Sequence, residues 1–104
     1  MAILGQSDLP ASPTKTSVAT IGASGATVNI LMTNRTDTNI NVTVWLVPNG
    51  TSVPANQHQI EAATQIDPHQ VLERGGIPLS SGDQVFVMPS ATGISCTVVA
   101  ALGS

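Results

Sequence analysis

From about Thr14 onward, apolar and polar residues alternate with a period of two, and no window holds a helical period for longer than a turn or two. Successive side chains of a strand point to opposite faces, so a chain patterned in this way buries one face of each of several strands. The expected class is all-β. The clearest run is Asn39 to Val47, where Ile40, Val42, Val44 and Leu46 share one face and Asn41, Thr43 and Trp45 share the other. Its β-branched content suits a pleated, half-buried surface.

Further strands are expected at Thr16 to Ile21, Ala26 to Asn34, about Gln57 to Ile66, Gln84 to Met88 and Ile94 to Leu102. Turn chemistry separates them at Gly22 to Gly25, Thr36 to Thr38, Pro48 to Gly50, Ser80 to Asp83 and Pro89 to Gly93. Thr36-Asp37-Thr38 reads as the turn of a hairpin, and the stretch from Pro48 to Asn56, with Pro54 inside it, as an exposed loop. Gln70 to Arg74 reads as a short segment that Gly75-Gly76 and Pro78 prevent from continuing as a helix. Seven or eight short strands at this spacing imply a β-sandwich or a jelly-roll-like barrel. Residues 1–13, with Pro10 and Pro13, stand outside the core pattern and read as an extended N-terminal arm beside a β-sandwich domain at 14–104. An arm of this kind orders itself only by adding an edge strand or by pairing with a neighbouring subunit.

A chain of 104 residues makes one domain, burying about 65% of its unfolded surface. Charged residues are 9% of it, against roughly 25% in an ordinary soluble domain, and Thr, Asn, Ser and Gln fill the polar positions. Neutral hydroxyl and amide groups cost less to desolvate than ions do, so the composition points to a surface covered by other protein. The net charge of -3, with Lys15, Arg35 and Arg74 as scattered bases, argues against nucleic acid and against a polybasic membrane patch. The opening residues lack a basic n-region and a long apolar h-region, and nothing approaches a membrane span, so a soluble protein made in a cytoplasm is expected. The N-x-T sequons at Asn34, Asn41 and Asn49 then arise from composition alone. Cys96, the one cysteine, sits among apolar neighbours as a small buried hydrophobe.

Catalytic chemistry has little to work with. His58 and His69 are the two histidines, both beside turns and without metal-ligand spacing. Asp67, His69 and Glu73 would need Ser80 or Ser81 brought alongside to form a triad. The glycine turns at 22–25 and 75–76 do not link a strand to a helix as a phosphate loop does. No enzyme activity, cofactor or metal is expected.

Trp45, Leu31, Val47 and Phe86 fall on the polar faces of their strands. Two readings account for them: they fill the second face of a curled sheet, or they anchor a subunit interface, where large aromatic residues are favoured. A sugar-binding platform is a third. The interface expected here comprises Ala2, Ile3, Leu4, Gly5, Gln6, Leu31, Trp45 and Phe86, with Trp45 losing its exposure on assembly.

Several segments together resemble a family of small, Thr/Ala/Val-rich β-proteins encoded among the virion structural genes of tailed bacteriophages. They are Leu4-Gly5-Gln6-Ser7, Thr33-Asn34-Arg35-Thr36, Val47-Pro48-Asn49-Gly50, His58-Gln59-Ile60, Val71 to Ile77 and Leu79 to Val85, in that order over nearly the whole length. The resemblance implies an oligomeric structural subunit on the outer surface of a capsid, or on a neck, tail or baseplate. Capsid decoration is the leading expectation, as a homotrimer bound to the major capsid protein. A glycan-binding receptor module on a tail is the alternative. The family brings no catalytic or cofactor residues. This chain departs from similar sequences in having no tyrosine.

Overall fold

The computed structural model describes residues 2–12, 14–51, 54 and 56–100. Met1 and Pro13 of the expected arm, Leu102 of the expected last strand, and loop residues 52, 53 and 55 lie outside them. Eight strands form: β1 (Ala2–Asp8), β2 (Thr16–Thr20), β3 (Ala26–Asn34), β4 (Ile40–Val47), β5 (Gln59–Ile66), β6 (Val71–Leu79), β7 (Gln84–Pro89) and β8 (Ile94–Ala100). A 3-10 turn, Asn56–His58, precedes β5.

The strands make two antiparallel sheets, ordered β1-β8-β3-β6 and β2-β7-β4-β5. Pairing is nested: β1 with β8, β2 with β7, β3 with β6 and β4 with β5. One long hairpin is thus folded over on itself into two facing layers, which is the jelly-roll arrangement. Alternation supplies the core between the layers. Val28, Ile30 and Met32 of β3 and Ile94, Cys96 and Val98 of β8 face Val42 and Val44 of β4 and Val85 and Val87 of β7, all buried. Each large aliphatic side chain so buried contributes about 1.5–3 kcal/mol.

Of the two ways in which the N-terminal residues could order themselves, the structure shows the added edge strand: β1 pairs with β8 of its own chain from Ala2↔Ala100 to Asp8↔Ser95, and Leu9 joins the core. The 36–38 turn does not close a hairpin, because β3 and β4 lie in different sheets and the chain crosses between layers there. The segment after Gln70, where no helix is expected to continue, is strand β6, which runs through Gly75, Gly76 and Pro78. It survives because it is an edge strand, where a missing N–H is tolerated, and because its extra residue forms a bulge. Gly76 takes φ +68° and donates its N–H to Asn29 Oδ1 at 2.9 Å. In the 48–56 loop Pro48, Asn49 and Gly50 are exposed, as expected, while Pro54 is buried.

Asn34 explains the crossing. Fully buried at the end of β3, it donates from Nδ2 to Thr38 O (2.8 Å) and Ile66 O (3.0 Å). Its Oδ1 accepts from Thr36 N (2.9 Å) and Thr36 Oγ1 (2.7 Å). One amide therefore holds the corner together and ties it to the end of β5, and it is not presented as a glycosylation acceptor. Asn34→Ala leaves the buried Ile66 carbonyl without this donor and is expected to cost about 2–3 kcal/mol, read from the denaturant midpoint.

The connections β1–β2, β3–β4, β5–β6 and β7–β8 gather at one end of the sandwich. There Leu9 N donates to Ile94 O, Asn34 N to Gln70 O, Arg35 N to Gly93 O and Ser90 N to Asn41 O. The opposite end is tied by Ile21 N to Asp83 O and Gly82 N to Ile21 O, with the Asp83 carboxylate accepting from Asn49 N and Ser80 N.

Candidate interaction surface

The register places three rows across the outer face of the β1-β8-β3-β6 sheet. They are Ile3–Val99–Asn29, Gln6–Thr97–Leu31–Glu73 and Asp8–Ser95–Thr33–Val71. The middle of this face is neutral. Its carboxylates, Asp8 and Glu73, stand at the margins, and Asp8 is paired with Arg35 of the β3–β4 connection. Ile3 (61% exposed) and Val71 (55%) are the exposed large hydrophobics among the described residues, and both lie on this face, with Leu31 half-buried between them. Hydroxyl and amide neighbours around apolar side chains make a surface with a low desolvation cost.

The outer face of the other sheet differs. Trp45 lies opposite Phe86 on β7 and Gln59 on β5, yet it is 3% exposed and Val47 is fully buried. The Lys15 ammonium sits over the indole ring, 5.2 Å from its centre, and the 3-10 turn of the β4–β5 connection packs against β4. Trp45 is thus covered within a single chain, and the expectation that it loses exposure on assembly is corrected. Alternation does point the ring to this outer face, but the face is roofed by the chain's own β1–β2 and β4–β5 connections.

The other residues expected at an interface divide in the same way. Leu4 packs against the core, and Gly5 lies with its Cα against the Val18 carbonyl, so both serve the joining of β1 to β2. Ala2 is in the β1–β8 ladder. Gln6 is exposed and its Nε2 donates weakly to Thr97 Oγ1 at 3.4 Å. Phe86 is half-buried beside Trp45. Ile3, Gln6 and Leu31 therefore come together on one face, while Trp45 and Phe86 lie on the other. Val71, Thr97 and Val99 complete the first face, and sequence reasoning misses them because they emerge only once strand register is known.

On the β1–β2 side the sandwich is shut by the Gly5–Val18 approach. On the β5–β6 side it opens into a cleft of about 420 Å³ lined by Leu46, Ile60 and Gly75 to Ile77. An Arg74–Glu61 ion pair spans the two strands there.

No triad forms. His69 lies beyond one end of β6 and Ser80 and Ser81 beyond the other, about 30 Å apart at 3.3 Å per residue. His69 instead places Nε2 2.6 Å from Asp37 Oδ1, bridging two exposed connections. Among the described residues, no three His, Cys, Asp or Glu side chains are gathered as a metal site. No described helix is long and apolar enough to cross a membrane.

Burial pushes the Cys96 thiol up to about 12. In the unfolded chain the thiol ionises at about pH 8.5, so between there and about pH 12 the unfolded state has lost a proton that the native state keeps. Stability is expected to fall as pH rises through that window. Cys96→Ala should flatten the fall, measured as denaturant midpoint against pH; an identical slope in the variant would contradict it.

Compared with known proteins, the chain finds no significant match among protein-family models, curated proteins or solved structures.

Proposed function

We propose that this chain is a virion structural protein of a tailed bacteriophage, a capsid decoration protein that binds the assembled shell and stabilises it. The observation that carries the reading is the neutral outer face of the β1-β8-β3-β6 sheet, with Ile3, Leu31 and Val71 set among Thr, Ser and Asn. Such a face is suited to being covered by protein. The sequence resemblance to phage virion proteins supports the same reading, and jelly rolls recur in viral shells. The partners are further copies of this chain, as a homotrimer, and a major capsid protein. The trimer rests on analogy with decoration sites at local threefold axes.

Stabilisation needs no chemistry in the subunit. A protein that binds only the assembled state adds its binding free energy to that state by mass action, and many copies sum. Jelly rolls also serve as lectins. The glycan-binding reading is less well supported, because the aromatic ring best suited to stack on a sugar, Trp45, is covered by Lys15 and the chain's own connections.

Quantitative protein gels of purified particles test the location. A capsid decoration protein should be present at a copy number comparable to that of the major shell protein. A copy number a small fraction of that would place it on the tail, neck or baseplate.

A further inference from the structure

We infer that β1 is exchanged between copies of this chain, so that residues Ala2–Asp8 of one copy pair with β8 of a second copy in the register seen within the single chain. The inference concerns the isolated protein and does not rest on where in a particle it sits.

β1 is an edge strand, and what it contributes is portable. It forms a backbone ladder to β8, the close approach of Gly5 to the Val18 backbone, the Asp8–Arg35 ion pair and the burial of Leu9 at its end. Every one of these partners lies beyond residue 15 in the sequence, so a second copy offers the same partners in the same geometry. Exchange loses none of them, which is why swapping a terminal element is a low-cost route to association.

The connection to β2 is built as a hinge. Leu9 is fixed in the core at one end, and Lys15 is fixed over Trp45 at the other. Between them Pro10, Ser12 and Thr14 are exposed, and the sequence places a second proline at 13. A proline fixes its own φ and drives the residue before it toward an extended conformation. Proline in a connection this short favours an extended path, and a short hinge that can extend lets β1 reach a second copy. The described backbone bonds holding the connection are Ser12 N to Pro89 O and Thr14 N to Ala11 O. Low charge also leaves little repulsion to keep copies apart.

The test is a Gln6→Cys, Thr97→Cys double variant. These residues face each other across the ladder, where Cα atoms stand about 4.5–5.5 Å apart, within disulfide reach. Cys96 is buried in the core and does not compete. After mild oxidation, exchange predicts covalent multimers on a non-reducing denaturing gel that collapse to single chains on reduction, with each single-cysteine variant setting the background. Complete disulfide formation within single chains would overturn the inference. The unmodified chain gives a second readout that needs no folding of a variant. Exchanged oligomers should persist long after dilution, because β1 must unpair from β8 before copies separate. Return to monomer within the mixing time, or a monomer at every concentration, would overturn it.

Discussion

Trp45→Ala is expected to lower the stability of the isolated chain by about 3–5 kcal/mol, the range for truncating a large aromatic side chain in a packed site. The ring is 3% exposed in a single chain and lies under the Lys15 ammonium beside Phe86. The loss should therefore appear as a lower denaturant midpoint at concentrations where no association occurs. Trp45 is the one tryptophan, so its fluorescence reports directly. Native emission should be blue-shifted and poorly quenched by iodide, and both properties should be independent of protein concentration. A variant of unchanged stability, or emission that shifts only on association, would return Trp45 to an intersubunit surface.

Gly5→Ala is expected to cost about 3 kcal/mol, at the upper end for forcing added volume into a packed contact. A Cβ at position 5 would stand 2.0 Å from the Val18 carbonyl oxygen and 2.9 Å from its carbon. Both are backbone atoms, so no side-chain rotation relieves the clash and β1 must move away from β2. Gly22→Ala is the control: a Cβ there meets nothing within 4 Å, and its effect should stay within about 0.5 kcal/mol. Equal midpoints for the two variants would mean that the sandwich is not shut along the β1–β2 side.

Trp45 and Gly5 also show how far the sequence carries the structure. Alternation identifies which side chains share a face: the expected strand at Ala26 to Asn34 has the bounds of β3, and Ile40, Val42 and Val44 do face the core. Alternation carries no information about which layer the next strand joins. The five residues between β3 and β4 suit a hairpin or a crossing equally, and the choice is made by Asn34 reaching Ile66, a residue distant in sequence. Periodicity puts Trp45 on the correct face, but its cover comes from Lys15 and the β4–β5 connection, which have no periodic signal. β6 is hidden in the sequence by Gly75, Gly76 and Pro78, which break a central strand but are tolerated on an edge. With β6 unread, Val71 is missed, and with it one end of the neutral face. Gly5 reads as part of a docking arm because a glycine pressed against a backbone of its own chain looks the same in sequence as a glycine in an extended arm.

The functional proposal depends on the neutral face being covered. Hydroxyl and amide groups around Ile3, Leu31 and Val71 allow burial at low desolvation cost, and burial against an assembled shell strengthens the shell without altering how it is built. Thermal release of packaged DNA measures this directly. Particles made without the protein are expected to assemble and package DNA, to release it at a lower temperature than complete particles, and to regain the original temperature when purified protein is added back. Release at an unchanged temperature, together with lost adsorption to cells, would contradict the account and assign the protein to the tail.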